Sequence, residues 1–165
     1  MRMRQLIVIC LLGLGCMPKA PPPPAAPVPR PETHVAVSFG HTWDAVIAHF
    51  AANSIPIATI DRSSGLIVTS PLFVGVSDAI RWAWCGWESA SNYKQSLKAE
   101  WLVVGPSSAT YNVLVRGDSV ASTLRVTTRW IAPIIPSTRG SECISRDVFE
   151  PTLEQALKSR AESGK

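Results

Sequence analysis

The sequence predicts an α+β domain, an antiparallel sheet of about six strands with two main helices on one face, in the order β-α-β-β-β-β-β-α. Three observations predict it. Stretches rich in Val, Ile and Thr alternate apolar with polar residues, the period of a half-buried strand. Two segments, near 42–53 and 147–157, repeat apolar residues at helical spacing. Clusters of Gly, Asp, Ser and Pro separate these segments at the places where the chain must turn. A sheet covered on one face by both helices buries every apolar side so defined.

The elements follow in order. Residues 35–39 put Val35, Val37 and Phe39 on one side of a strand. Thr42 is placed to cap a helix running to about Asn53, with Trp43, Val46, Ile47 and Phe50 on one face. Residues 55–60 form the second strand. Asp61-Arg62-Ser63-Ser64-Gly65 is a turn, Gly65 supplying positive φ, and 66–70 returns to complete a hairpin. Residues 77–84 fit a short helix and an irregular loop equally well. Residues 93–104 set Leu97, Ala99, Trp101 and Val103 against Ser96, Lys98, Glu100 and Leu102. After the turn Pro106-Ser107-Ser108, strand 109–116 aligns Tyr111, Val113 and Val115. Gly117-Asp118 turns the chain into 122–132, where Leu124, Val126, Thr128 and Trp130 oppose Arg125, Thr127 and Arg129. These last three strands read as an antiparallel meander with one wet face. The final helix has Asp147 as its cap, Glu150 answering three residues later and Pro151 in the first turn. Its buried stripe is Phe149, Leu153, Ala156 and Leu157.

The first 32 residues do not belong to this domain. Arg2 and Arg4 precede an apolar run at 6–14. A run of about nine residues is far short of the roughly 20 that a spanning helix needs, and fits a cleaved secretion signal. Gly13-Leu14-Gly15-Cys16 resembles a bacterial lipoprotein signal. The resemblance implies that the Cys16 thiol is acylated, becomes the mature N-terminus and seats the protein in a lipid bilayer. Gly13 stands where that family usually has Leu or another aliphatic residue. Met17, rather than Asp, after the cysteine implies the outer membrane, with the domain facing the periplasm. Residues 1–15 are then the signal, taking Cys10 with them, and 16–32 are the lipidated Cys and a linker. Eight of the fourteen residues from 18 to 31 are proline. Such a segment favours polyproline II and, at about 3.1 Å per residue, reaches on the order of 40 Å. It reads as a spacer lifting a single domain, 33–165, off the lipid.

The formal charge of +4 falls to +2 once Arg2 and Arg4 leave, and the remaining basic residues are scattered. No basic run points to nucleic acid. Cys85 and Cys143 are the two thiols left, and in an oxidising compartment they are expected to pair. Lying 58 positions apart, they close a loop whose constraint is about 4 kcal/mol in the loop-entropy model.

Residues 35–70 contain Val-x-Val-x-Phe, Thr-Trp-Asp-x-Val-x-x-x-Phe, Ile-x-Ile-x-x-Ile-Asp and Ser-Gly-Leu-Ile-Val-Thr in that order. This resembles the strand, Trp-bearing helix and hairpin that open the BamC-type domains of outer-membrane lipoproteins. Cys85-Gly86, the segment 142–145 and Phe149-Glu150 are similar to the second half of small bacterial lipoproteins of that layout. The resemblance implies a helix-grip-like fold, a sheet curved around a helix, and a role beside an outer-membrane assembly machine.

Reactive chemistry has no motif here. His34 adjoins the linker, and His41 and His49 are eight apart, about 80° off a common line on a helix. No HExxH, C-x-x-C, G-x-S-x-G elbow or glycine-rich phosphate loop occurs. The expectation is a non-enzymatic protein with no metal and no cofactor. Trp82, Trp84 and Trp87 crowd beside Cys85. They either cover the core edge or form an exposed aromatic patch for an envelope protein partner, a glycan or lipid headgroups. The function expected is therefore a membrane-anchored binding or scaffold component, with a periplasmic small-ligand carrier or hydrolase as the alternative.

Overall fold

The computed structural model describes residues 29–85, 102–103, 108–135 and 140–164. The chain is α+β, with nine strands, all antiparallel, among these residues. In order they and the helices are β1 (Thr33–Val35), α1 (Phe39–Ala52), β2 (Ile57–Asp61), β3 (Leu66–Thr69), β4 (Leu72–Phe73), α2 (Val76–Trp82), β5 (Ala83–Trp84), β6 (Leu102–Val103), β7 (Ser108–Gly117), β8 (Ser122–Ile135), β9 (Gly140–Ser145) and α3 (Phe149–Ser163). The sheet runs β2-β3-β7-β8-β9-β5. Strand β8 is its spine. It pairs with β7 along ten residue pairs, with β1 at one end of its other edge and with β9 further along that edge.

Period-2 patterning sets the core. Ala109, Tyr111, Val113 and Val115 of β7 lie opposite Trp130, Thr128, Val126 and Leu124 of β8, and all but the half-buried Thr128 are buried. Helices α1 and α3 pack on each other and on this face. Trp43, Val46 and Phe50 of α1 and Leu153, Leu157 and Ala161 of α3 fill the space between. Removing water from side chains of this size stabilises the fold by about 1.5–3 kcal/mol each. Gly65 closes the β2–β3 hairpin at φ +73°, and a Cβ there would lie 2.0 Å from the Val115 carbonyl oxygen. Only glycine fits that turn and that approach.

Several local expectations are corrected. The first strand ends at Val35, and α1 starts at Phe39. Ser38, not Thr42, caps it, accepting from the His41 N–H at 3.3 Å. Thr42 lies fully buried inside the helix, its hydroxyl 2.7 Å from that of Ser122. Residues 77–84, undecided from sequence, are the end of α2 and the two-residue strand β5. The meander is differently composed. Of 93–104, the described residues are those of β6, which pairs with the far end of β8; residues 93–101 and 104 lie outside the described residues. The neighbours of β7 are β3, β4 and β8. Strand β9 had no alternating signature, because Gly140-Ser141-Glu142-Cys143-Ile144-Ser145 owes its extension to pairing with β8 and β5.

The last helix also departs from its expected cap. Asp147 has φ +57°, outside the extended region a capping residue adopts. Its N–H donates to Ser145 Oγ at 3.0 Å, and Val148 occupies the cap position without a side-chain bond. Glu150 turns inward instead of back to the cap. Ala156 is exposed, and Ala161 takes the buried place expected for it.

Candidate functional site

Cys16 and Trp87 lie outside the described residues. Cys85 and Cys143 are joined as a disulfide with Cα atoms 4.5 Å apart. The bond continues the β5–β9 ladder beyond the pair Trp84–Ile144, so it fastens a two-residue strand to the sheet. Trp82 faces inward. Its ring centroid is 4.9 Å from Phe149 and 6.0 Å from Trp130, in a cluster completed by Tyr111 at 4.6 Å from Phe149. Of the expected aromatic patch, Trp82 and Trp84 are both half-buried, and Trp82 packs against the core edge. The three histidines do not converge, and no group of three or more His, Cys, Asp or Glu side chains able to hold a metal occurs among the described residues.

The polar constellation that the fold does assemble was not apparent in the sequence. Glu150 and Glu154, one turn apart on α3, are only 3% exposed each. Glu150 Oε1 accepts from the Thr128 hydroxyl and from Ser145 Oγ at 2.6 Å. Its Oε2 is buried with no hydrogen-bond partner. Glu154 Oε1 accepts from the Val126 N–H at 2.8 Å, and Oε2 accepts from the Thr33 hydroxyl at 2.8 Å. Arg30, at the end of the proline-rich segment, completes the set. Its Nη1 lies 3.2 Å from Glu154 Oε2 and its Nε 2.6 Å from Asp147 Oδ1. A cavity of about 210 Å³ opens beside these groups, lined in part by Arg30, Arg125, Thr128, Asp147 and Glu150.

The arrangement holds charge in place. A buried carboxylate needs donors or a cation, and Glu154 has both. Glu150 has hydroxyl donors on one oxygen, and its charge adds to burial in raising the Tyr111 phenol to about 12. The signal that could have found the site is the spacing of Glu150, Glu154, Lys158 and Glu162, four charged residues at i,i+4. Such a row usually marks a solvated helix face.

A second cleft, about 370 Å³, lies between the β2–β3 turn and the end of β7. Arg62 sits over the Phe39 and Trp43 rings there at 5.8 and 5.9 Å and pairs with Asp44 at 3.5 Å. In the same turn, Ser63 and Ser64 donate to the Asp61 carboxylate and hold its pKa down to about 2. These contacts brace the hairpin.

The fold defines the class: an α+β domain on an open antiparallel sheet with its helices on one face. No protein-family model, curated protein or solved structure matches the chain.

Proposed function

We propose that the protein is an envelope lipoprotein, anchored in the outer membrane through acylated Cys16, whose periplasmic domain binds or braces another envelope component without catalysis. One observation carries it: a charged start and short apolar run end at Gly15-Cys16 and lead directly into a proline-rich spacer. The order of signal, anchor, spacer and domain is that of a protein held at a distance from a bilayer. Among the described residues no helix is long and apolar enough to cross a membrane. The resemblance to BamC-type domains makes an outer-membrane assembly machine the first partner to test. A small-ligand carrier has less support, because the cavity beside Glu150, about 210 Å³, is below the 300–1,000 Å³ typical of ligand pockets, and the cleft of about 370 Å³ is lined mainly by polar turn residues and not by the apolar wall such pockets have.

The test is acylation and capture together. Cells expressing the wild-type chain or Cys16→Ser are labelled with a fatty acid and fractionated. Wild-type protein should carry the label and sediment with outer membrane, and Cys16→Ser should do neither. Crosslinking in native membranes should then retrieve an envelope protein with the wild type. A soluble wild-type protein without acyl mass overturns the anchor; an anchored protein that crosslinks to nothing overturns the binding role.

A further inference from the structure

The chain entering the domain is not held like an ordinary edge strand. Strand β1 pairs Thr33 with Leu124 and Val35 with Ser122. Carried backwards, that register sets Pro31 opposite Val126 and Pro29 opposite Thr128. Neither proline has an N–H to give to a ladder. Side chains serve the β8 edge instead. The Val126 N–H donates to Glu154 Oε1 at 2.8 Å, and the Val126 carbonyl accepts from Arg30 Nη2 at 3.4 Å. Arg125 Nη2 reaches back to the Arg30 carbonyl at 2.9 Å. An ion pair, Arg30 with Glu154, thus stands where ladder bonds are missing.

Helix α3 continues the same task. Lys158 donates to the His34 carbonyl, and Glu162 Oε1 accepts from the Ala36 N–H at 3.0 Å. The row at 154, 158 and 162 therefore grips the chain from 30 to 36 along its length. This is why charged side chains face inward on that helix.

We infer that residues 29–31 are a releasable strap between the tether and the domain, with Arg30 as its clasp; Glu32, bonded to the Thr123 hydroxyl and paired with Arg116, stays with the sheet. The word tether rests on the lipoprotein reading; the clasp does not. Three features make the strap releasable. When Arg30 withdraws, Glu154 keeps the Thr33 hydroxyl and the Val126 N–H, so its buried charge is not stripped of donors. Asp147 is one-third exposed and can be hydrated. The prolines have no ladder bonds to lose, and β1 still holds the chain downstream. Seated, the strap holds the chain against the domain as far back as Pro29. Released, its three residues add about 9 Å of reach and uncover the β8 edge from Val126 to Thr128.

Hydrogen exchange on the full chain tests this, with wild type, Arg30→Ala and Arg30→Lys compared. Arg30→Ala should speed exchange at Thr33 and Val126 on the order of tenfold, because the Val126 N–H then keeps Glu154 as its acceptor but loses its cover from water. Amides of Ile67 and Val113, in the centre of the sheet, should keep their wild-type rates. Arg30→Lys should fall between, since an ammonium cannot reach two carboxylates and a carbonyl as a guanidinium fork does. Glu154→Gln, whose single carbonyl oxygen can still accept from the Val126 N–H while its amide nitrogen faces the Thr33 hydroxyl and Arg30 without charge, should reproduce the Arg30→Ala pattern. Unchanged exchange at Val126 and Thr33 in Arg30→Ala overturns the clasp. An equal rise at Val113 also overturns it, because Arg30 is then a general stabiliser. Failure of acylation at Cys16 leaves these exchange rates untouched, so the clasp and the anchor fail separately.

Discussion

Removing the disulfide should lower stability by an amount set mainly by its span. Changing both Cys85 and Cys143 to Ala deletes a crosslink between residues 58 apart. In the loop-entropy model this frees the unfolded chain by about 4 kcal/mol. A domain of about 130 residues has an unfolding entropy near 0.27 kcal/mol/K at its midpoint, so Tm should fall by about 15 °C. The native state adds a local effect. Strand β5 is two residues long, and apart from the bond it is held by its pairing with β9, by the Arg146 N–H donating to the Trp82 carbonyl at 2.8 Å and by Arg146 Nε donating to the Ala83 carbonyl at 3.3 Å. The assay is thermal unfolding followed by circular dichroism, on the double variant and on wild type with and without reductant. Reduced wild type should approach the double variant. A fall of less than about 3 °C in both would refute the reasoning, because it would mean that the crosslink constrains little of the unfolded chain.

Other outcomes follow from single contacts. Trp82→Ala should destabilise by about 3 kcal/mol, since it empties a place beside Trp130 and Phe149, whereas Trp84→Ala should cost less; denaturant midpoints rank them, and the reverse order would contradict the packing. Gly65→Ala should cost about 1–3 kcal/mol or more, through positive φ and the contact with the Val115 carbonyl, read as a lowered Tm. Tyr111 has its pKa raised to about 12 by burial first and by the Glu150 charge second. The folded state therefore disfavours its phenolate: the stability it contributes is complete below about pH 10 and is lost as pH rises through about 12. Absorbance of tyrosinate against pH should show its ionisation delayed in the folded protein and ordinary in denaturant.

Periodicity alone determined much of this protein. The class, the apolar faces of β7 and β8, the helix bearing Trp43, Val46 and Phe50 and the turn at Gly65 all follow from side-chain spacing and backbone sterics, which act locally. The pairing of Cys85 with Cys143 followed from there being no other thiol left to pair in the domain. Tertiary structure decided the rest. Strand β9 exists because β8 and β5 supply its hydrogen bonds, so its own residues carry little signal. Thr42 and Asp147 have side chains that suit a cap, but their surroundings offer better partners, Ser122 for one and Arg30 for the other. Glu150 and Glu154 look like surface residues until the proline-bearing strap is laid against β8. A chain lacking N–H groups at Pro29 and Pro31 leaves an edge to be satisfied by side chains from elsewhere, and which side chains reach it depends on the packing of a helix more than 100 residues away.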